Sequence, residues 1–150
     1  SINPYRIKVS GRTKHHINVF GEELIIENAE DALKKVCKRT GAEIVDYTAA
    51  PIFMKGKEEG AHEWLIEFKT QPKDFNYFSE LFDNALKSLN SDYEAKRYNN
   101  MTLNKPKIHQ ARHNLFYDWL KENDKLGGQH KVPRLSNTRD YIDELLSINA

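Results

Sequence analysis

The chain has 150 residues, and its 23 lysines and arginines balance 22 aspartates and glutamates to a net charge of +1. This length fits one domain with a sizeable core, and the near-neutral charge provides no overall field for nucleic acid or a membrane surface. The single cysteine, Cys37, excludes an internal disulfide and favours a reducing compartment. No apolar run approaches the roughly 20 residues that cross a bilayer. We therefore expect a soluble, cytoplasmic domain.

The first forty residues predict a strand, a glycine-marked hairpin and a helix. Apolar and basic residues alternate over residues 5–9, as in a half-buried strand. Residues 16–20 predict a short strand, and Gly21 opens a turn before an apolar run at 24–26. A helix over 29–40 follows, with Asn28 as its candidate cap and Gly41 at its end. Cys37 lies on the apolar stripe of this helix, which favours a core side chain over a nucleophile.

The middle of the chain predicts two long strands, over 43–53 and 62–70, joined by a charged, glycine-bearing connector. Trp64 on the second strand is expected in the core. His62, at the start of that strand, is expected to be a solvated edge residue rather than a ligand. The acidic pairs Glu22-Glu23 and Glu58-Glu59 are expected to be solvated charges.

Most of the remaining chain is predicted to be helical. Pro72 and Asp74 introduce a helix over 75–89, whose apolar residues recur every three and four positions. A capping-box pattern that begins at Ser91 predicts a short helix over 92–98. Further elements are expected as a strand over 107–112, a helix over 115–123 capped by Asn114, a loop over 126–137 and a helix over 138–148. The fold class is α+β, with a small mixed or antiparallel sheet flanked by helices.

The loop over residues 127–134 is one place where chemistry could occur. Its two glycines free the backbone, and Lys131 and Arg134 are cations suited to phosphate oxygens. The loop does not have the P-loop pattern, so an ordinary polar loop remains the alternative on these residues alone. No Cys/His set has zinc spacing, and no metal site is expected.

A second stretch of interest runs from Gly11 to Glu30. The spacing of its glycines, cations and acidic residue resembles the hinge motif of adenylate-forming ligases, such as acyl-CoA synthetases, peptide-synthetase adenylation domains and luciferases. The matching positions are Gly11, Arg12, Lys14, Ile17, Gly21, Leu24 and Glu30. Asn28 departs from the motif, since that superfamily usually carries a glutamate there. The simpler alternative is a β-hairpin with an exposed basic edge that leads into a helix.

Three longer phrases narrow the resemblance: Y-R-I-K-V-S-G-R-T-K, N-S-D-Y-E-A-K-R and G-G-Q-H-K-V-P-R-L-S-N. Together they resemble the auxin-responsive acyl-acid amido synthetase family in its bacterial form, over essentially the whole chain. The resemblance implies the mobile C-terminal domain of adenylate-forming enzymes, with residues 1–10 as the strand next to the hinge. Because the chain opens with Ser-Ile-Asn-Pro rather than Met, we expect one excised domain, and the resemblance implies that it is a lid that lacks the large N-terminal adenylation domain.

The resemblance also implies an activity for the parent enzyme. With ATP and Mg²⁺ it would convert a carboxylic acid to an acyl-adenylate, and the amine of an amino acid would then displace AMP to give an amide. The C-terminal domain would rotate as a lid against its own N-terminal domain. Alone it is expected to be inactive and to bind neither ATP nor Mg²⁺. The resemblance leaves the identities of the acid and amino acid open.

The same resemblance assigns roles to individual residues. Lys131 matches the catalytic lysine by position, and Arg12 and Lys14 match the hinge. Gly21, Gln129 and Arg134 are expected to lie near the nucleotide or the acceptor.

A non-catalytic module that binds RNA or another protein is the alternative function. Basic and aromatic residues interleave over 93–98 and 105–117, as in some RNA-binding domains. The balanced charge and the lack of an RNA-recognition motif argue against it.

Overall fold

The structure is a computed structural model that describes residues 16–56, 58–98, 102–123 and 131–149. The strand predicted over residues 5–9 lies outside these ranges.

The described chain begins with the expected hairpin and helix. Strand β1 (His16–Ile17) pairs antiparallel with β2 (Leu24–Ile25), and helix α1 (Ile26–Thr40) follows directly. The first strand is shorter than predicted because the chain turns over residues 19–21, where Gly21 has a φ of +83°. Gly41 ends α1 in the left-handed conformation, as predicted, and its N–H donates to the Cys37 carbonyl at 2.8 Å.

The prediction for the start of α1 was wrong by three residues. The helix begins at Ile26 rather than at residue 29, so Asn28 lies in the first turn and is not the N-cap. Its Oδ1 instead accepts the backbone N–H of Ile25 at 3.1 Å. The amide therefore satisfies a donor just before the helix from inside the first turn.

The main sheet has three strands in the order β3 (Glu43–Ile52), β4 (Ala61–Thr70) and β5 (Lys107–Gln110). Strands β3 and β4 form an antiparallel hairpin, whereas β5 lies parallel to β4. A parallel neighbour needs a long crossover, and the chain provides one through two helices. The structure confirms an α+β fold with a small mixed sheet.

Four more helices are described: α2 (Phe75–Leu89), α3 (Ser91–Arg97), α4 (Leu115–Glu122) and α5 (Asp140–Ser147). Helix α2 has the predicted bounds, and the Asp74 side chain caps it by accepting the N–H of Tyr77 at 3.1 Å. The cap of α3 is Asn90 rather than Ser91, because Asn90 Oδ1 accepts the N–H of Tyr93 at 2.8 Å.

The cap of α4 was also predicted wrongly. Asn114 occupies the cap position with a φ of +64°, but its side chain makes no capping bond. The Glu67 carboxylate, which projects from β4, accepts the N–H groups of Asn114 at 3.0 Å and Phe116 at 3.3 Å. A strand side chain thus supplies the acceptor that the helix lacks locally.

Helices cover both faces of the sheet. Alternate residues of β4 point to opposite faces, so Trp64 and Ile66 enter the core beneath α1 and α2, whereas Leu65 enters the core beneath α4 and α5. Among the helices that the structure describes, none is long and apolar enough to span a bilayer.

Candidate functional site

The segment that carries Lys131 and Arg134 is attached to the outer edge of the sheet. The Ala49 N–H on β3 donates to the Arg134 carbonyl at 2.8 Å, and the Ser136 N–H donates to the Ala49 carbonyl at 3.1 Å. Thr48 Oγ1 donates to the Pro133 carbonyl at 2.7 Å. These bonds form a short parallel bridge beside β3, which fixes the backbone around Arg134.

The same segment also holds the first hairpin. Asn137 Oδ1 accepts the N–H of Asn18 at 2.8 Å, and Asn137 Nδ2 donates to the carbonyl of His16 at 3.1 Å. The described parts of the two stretches singled out in the sequence, residues 16–30 and 131–137, are therefore neighbours in the fold.

Arg134 and Glu30 form the centre of this meeting point. Arg134 Nη1 lies 3.1 Å from Glu30 Oε1, and its Nε lies 3.5 Å from Asp46 Oδ1. The hydroxyl of Tyr47 donates to Glu30 Oε2, and the guanidinium lies over the Tyr47 ring, 5.2 Å from its centroid. Two carboxylates and an aromatic face thus fix the orientation of the Arg134 plane.

Burial shifts the pKa values of Asp46 and Tyr47. It raises the pKa of Asp46, and the Tyr47 N–H, Arg134 and Lys131 only partly oppose the increase. Burial and the hydrogen bond to Glu30 raise the pKa of Tyr47 well above its usual value. Tyr47 therefore stays protonated at neutral pH and remains a donor to Glu30.

A cleft of about 250 Å³ lies beside Arg134. Its lining mixes charged and apolar side chains: Glu30, Leu33, Lys34, Cys37, Ile44, Val45, Asp46, Tyr47 and Arg134. We call it the Arg134 cleft. Pockets for drug-sized ligands usually measure about 300–1,000 Å³. The Arg134 cleft is thus large enough for part of such a ligand.

The predicted site residues that the structure describes lie in two places. Arg134 is half-buried in the cleft wall, and Lys131 is exposed three residues earlier, where its charge acts on Asp46. Gly21 is exposed in the hairpin turn, and a side chain there would lie 3.4 Å from Lys96 Cε, so it faces α3 rather than Arg134. Arg12, Lys14 and Gln129 lie outside the described residues.

Sequence reasoning missed Tyr47 and Asp46 and mistook the roles of Glu22 and His62. Tyr47 gave a weak signal, as an aromatic residue on the first long strand. Glu22 and His62 were expected in solvent, but both side chains are fully buried, with Glu22 Oε2 2.5 Å from His62 Nε2. Glu23 and Glu58 are exposed, as expected for solvated charges. Within the described ranges, no group of three or more His, Cys, Asp or Glu side chains could hold a metal ion.

Residues 27–140 match the family model described as the GH3 family C-terminal domain, and this match covers more than half of the chain. The chain belongs to the GH3 family. The match confirms the family that the sequence motifs indicated. It begins in the first turn of α1 and ends at the start of α5, so the GH3 domain includes Glu30, Tyr47 and Arg134.

Solved structures of GH3 proteins share the fold. The structure of AtGH3.15 acyl acid amido synthetase in complex with 2,4-DB is 14% identical, with a TM-score of 0.68 over 90% of this chain and 25% of that one. Another structure, of GH3.15 acyl acid amido synthetase, is also 14% identical, with a TM-score of 0.68 over 90% of this chain and 26% of that one. This chain thus spans about a quarter of their length. No curated protein matches it in sequence.

Proposed function

We propose that this GH3 domain is the C-terminal lid of an ATP-dependent ligase that joins a carboxylic acid to an amino acid. The observation that carries the proposal is the contact between Glu30, the acidic residue of the hinge-like motif, and Arg134, a cation of the predicted phosphate-binding loop. These residues are 104 positions apart, and the fold brings one residue of each stretch to the Arg134 cleft.

The reaction has two steps. A carboxylate oxygen of the acid attacks the α-phosphorus of ATP, and pyrophosphate leaves to give an acyl-adenylate. The amino acid's amine then attacks the acyl carbon, AMP leaves with the bonding electrons, and the amine loses a proton. Negative charge accumulates on the phosphates during the first step, so a positioned cation lowers its barrier.

Lys131 is the proposed catalytic cation. Its side chain is exposed, while the backbone from Pro133 to Ser136 is fixed to β3. A flexible lysine next to a fixed segment can reach a substrate held by another domain. Arg134, held by Glu30 and Asp46, would present a fixed charge beside it. Mg²⁺ would be held by the nucleotide and by the N-terminal domain.

The small size of the Arg134 cleft supports the idea that a second domain completes the site. With about 250 Å³ it is too small for a nucleotide and an acyl group together, so an N-terminal adenylation domain would supply the rest of the site. In this proposal Arg12 and Lys14 form the hinge between the two domains. Gly21 and Gln129 would lie near the acceptor or the nucleotide after rotation.

Pyrophosphate exchange tests the proposal in the natural protein that contains this chain. Carboxylic acids are scanned with ATP, Mg²⁺ and labelled pyrophosphate, and Lys131→Ala is compared with Lys121→Ala, which changes an exposed lysine on α4. We expect acid-dependent exchange that falls by about a hundredfold in Lys131→Ala and is unchanged in Lys121→Ala. Exchange that survives Lys131→Ala would move the catalytic cation elsewhere. No exchange with any acid, together with RNA binding, would overturn the ligase proposal.

A further inference from the structure

A second concave site lies on the outer, polar face of α2. Its volume is about 500 Å³, within the range of small-molecule pockets. Residues from α2, the end of α3 and the segment before β5 line it, and none of them lines the Arg134 cleft. We call it the α2 cavity.

The floor of the α2 cavity is a buried, fully paired ion pair. Asp83 and Arg97 are only 6% and 5% exposed, and Arg97 Nε donates to Asp83 Oδ1 at 3.0 Å. Tyr93 also donates to Asp83 Oδ1, at 2.7 Å, and Arg97 Nη1 donates to the Leu103 carbonyl at 3.3 Å. Because its charges compensate each other, this floor leaves recognition of a ligand to the walls.

The walls offer polar groups of both kinds. Within the described part of the chain, the side chains of Asn76, Glu80, Asn84 and Lys105 form no hydrogen bond or ion pair with protein atoms. Lys87 Nζ lies 3.5 Å from Asp83 Oδ2, which leaves its other N–H donors available. The cavity thus presents two lysines, one carboxylate and two amides.

We propose that the α2 cavity binds a free amino acid in its zwitterionic form. Lys87 and Lys105 would bind the carboxylate, while Glu80 and an amide oxygen of Asn76 would bind the ammonium group. A simple anion would be repelled by Glu80, and a simple cation by the two lysines, so a ligand with both charges suits the site best. Glu80 and Lys87 lie about 10 Å apart along the helix axis, and their flexible side chains can close on a smaller ligand.

This inference does not depend on the proposed ligase activity. Binding at the α2 cavity needs neither ATP nor an acyl acid, and its residues are separate from Lys131 and Arg134. A failure of pyrophosphate exchange would therefore leave this binding measurable, and the reverse also holds.

Nuclear magnetic resonance of the ¹⁵N-labelled chain tests the inference. The standard amino acids are titrated to millimolar concentration, with acetate and methylammonium as probes of a single charge. We expect saturable shifts in the backbone amides of residues 76–87 and Lys105 with at least one amino acid, and none with either probe. No saturable shift with any amino acid would overturn the inference, as would shifts confined to other regions. Equal shifts with acetate would show a simple anion site and would also overturn it.

Variants locate the binding. Lys105→Ala and Glu80→Gln change exposed side chains, so neither is expected to disturb the fold. Each should weaken amino acid binding about tenfold, the loss typical of one charged hydrogen bond. Lys73→Ala, an exposed lysine before α2 and outside the cavity, is the matched control and should bind as the unmodified chain does. Unchanged binding in both cavity variants would contradict the proposed ligand contacts.

Discussion

Glu22 Oε2 and His62 Nε2 lie 2.5 Å apart, and neither side chain is exposed to solvent. Glu22 Oε1 also accepts the backbone N–H of Phe20 at 2.9 Å. One carboxylate therefore stabilises the turn of the first hairpin and attaches that hairpin to β4. The hairpin bearing the hinge-like motif is held to the main sheet by a buried polar contact as well as by apolar packing.

Removing either partner should destabilise the domain strongly. We expect Glu22→Ala to lower the free energy of unfolding by about 3 kcal/mol, because it leaves the buried Nε2 of His62 without its partner. His62→Ala should have a similar effect, and the double variant should lose less than the sum of the two. Urea unfolding measures all three. Glu58→Ala, at an exposed glutamate, should change stability by less than about 0.5 kcal/mol. Additive losses would show that the two side chains do not act as a pair.

The Asp83–Arg97 pair should make the free energy of unfolding depend on pH in the acid range. Burial alone would raise the pKa of Asp83, but hydrogen bonds from Arg97 and Tyr93 outweigh it and lower the pKa below its usual value. A lowered pKa contributes stability above the unfolded-state value of about 3.9, and this contribution is lost as pH falls through the folded-state pKa.

Asp83→Asn should therefore cost about 3 kcal/mol at neutral pH, and the difference from the unmodified chain should shrink below about pH 4. Urea unfolding across a pH series measures it. Asp31→Asn changes an exposed aspartate on α1 and should give a small difference at every pH. If the difference in free energy of unfolding between Asp83→Asn and the unmodified chain stayed constant down to about pH 2, the lowered pKa of Asp83 would be contradicted.

Glu67 should control the start of α4. Its carboxylate accepts the N–H groups of Asn114 and Phe116, so Glu67→Ala leaves two donors at the helix start without partners. We expect a loss of about 2 kcal/mol and faster hydrogen exchange at those two amides, with a smaller effect for Glu67→Gln. Lys69→Ala, at an exposed residue farther along β4, serves as the control. Unchanged exchange at both amides would show that another group caps the helix.

Full pyrophosphate exchange should require an arginine, and not merely a positive charge, at position 134. A lysine cannot lie flat on Tyr47 while it bonds both Glu30 and Asp46, so Arg134→Lys should lower acid-dependent pyrophosphate exchange about tenfold. Arg39→Lys, the same change at an exposed position on α1, should leave exchange unchanged. Thermal unfolding of both variants separates a loss of activity from a loss of fold. Full exchange with Arg134→Lys would mean that the planar contacts are not required.

Local patterns predicted the elements well wherever the relevant contacts are local. The bounds of α2 followed from its apolar spacing and from Asp74, and Gly41 marked the end of α1. The caps were less predictable. Several polar residues near a helix start compete for the same N–H groups, and for α4 the acceptor comes from Glu67, 47 positions away from Asn114.

The candidate site was only partly predictable, because its contacts join residues that are far apart in the sequence. Arg134 and Glu30 were noticed as residue types in suggestive stretches, but their contact depends on how β3 aligns with the segment that follows residue 131. Glu22 and His62 were misread because charged residue types are usually exposed. Only the packed fold shows that Glu22 Oε2 contacts His62 Nε2.

The segment from Pro133 to Ser136 lies along the side of β3 that has no strand neighbour in the main sheet. An uncovered strand edge is a template for pairing with strands of other molecules. The backbone bonds at Ala49 that position Arg134 therefore also cover part of this strand edge. In the proposed lid, a rotation that brought Lys131 to a substrate would have to keep those bonds intact, because breaking them would uncover a strand edge that can pair with other copies of the chain.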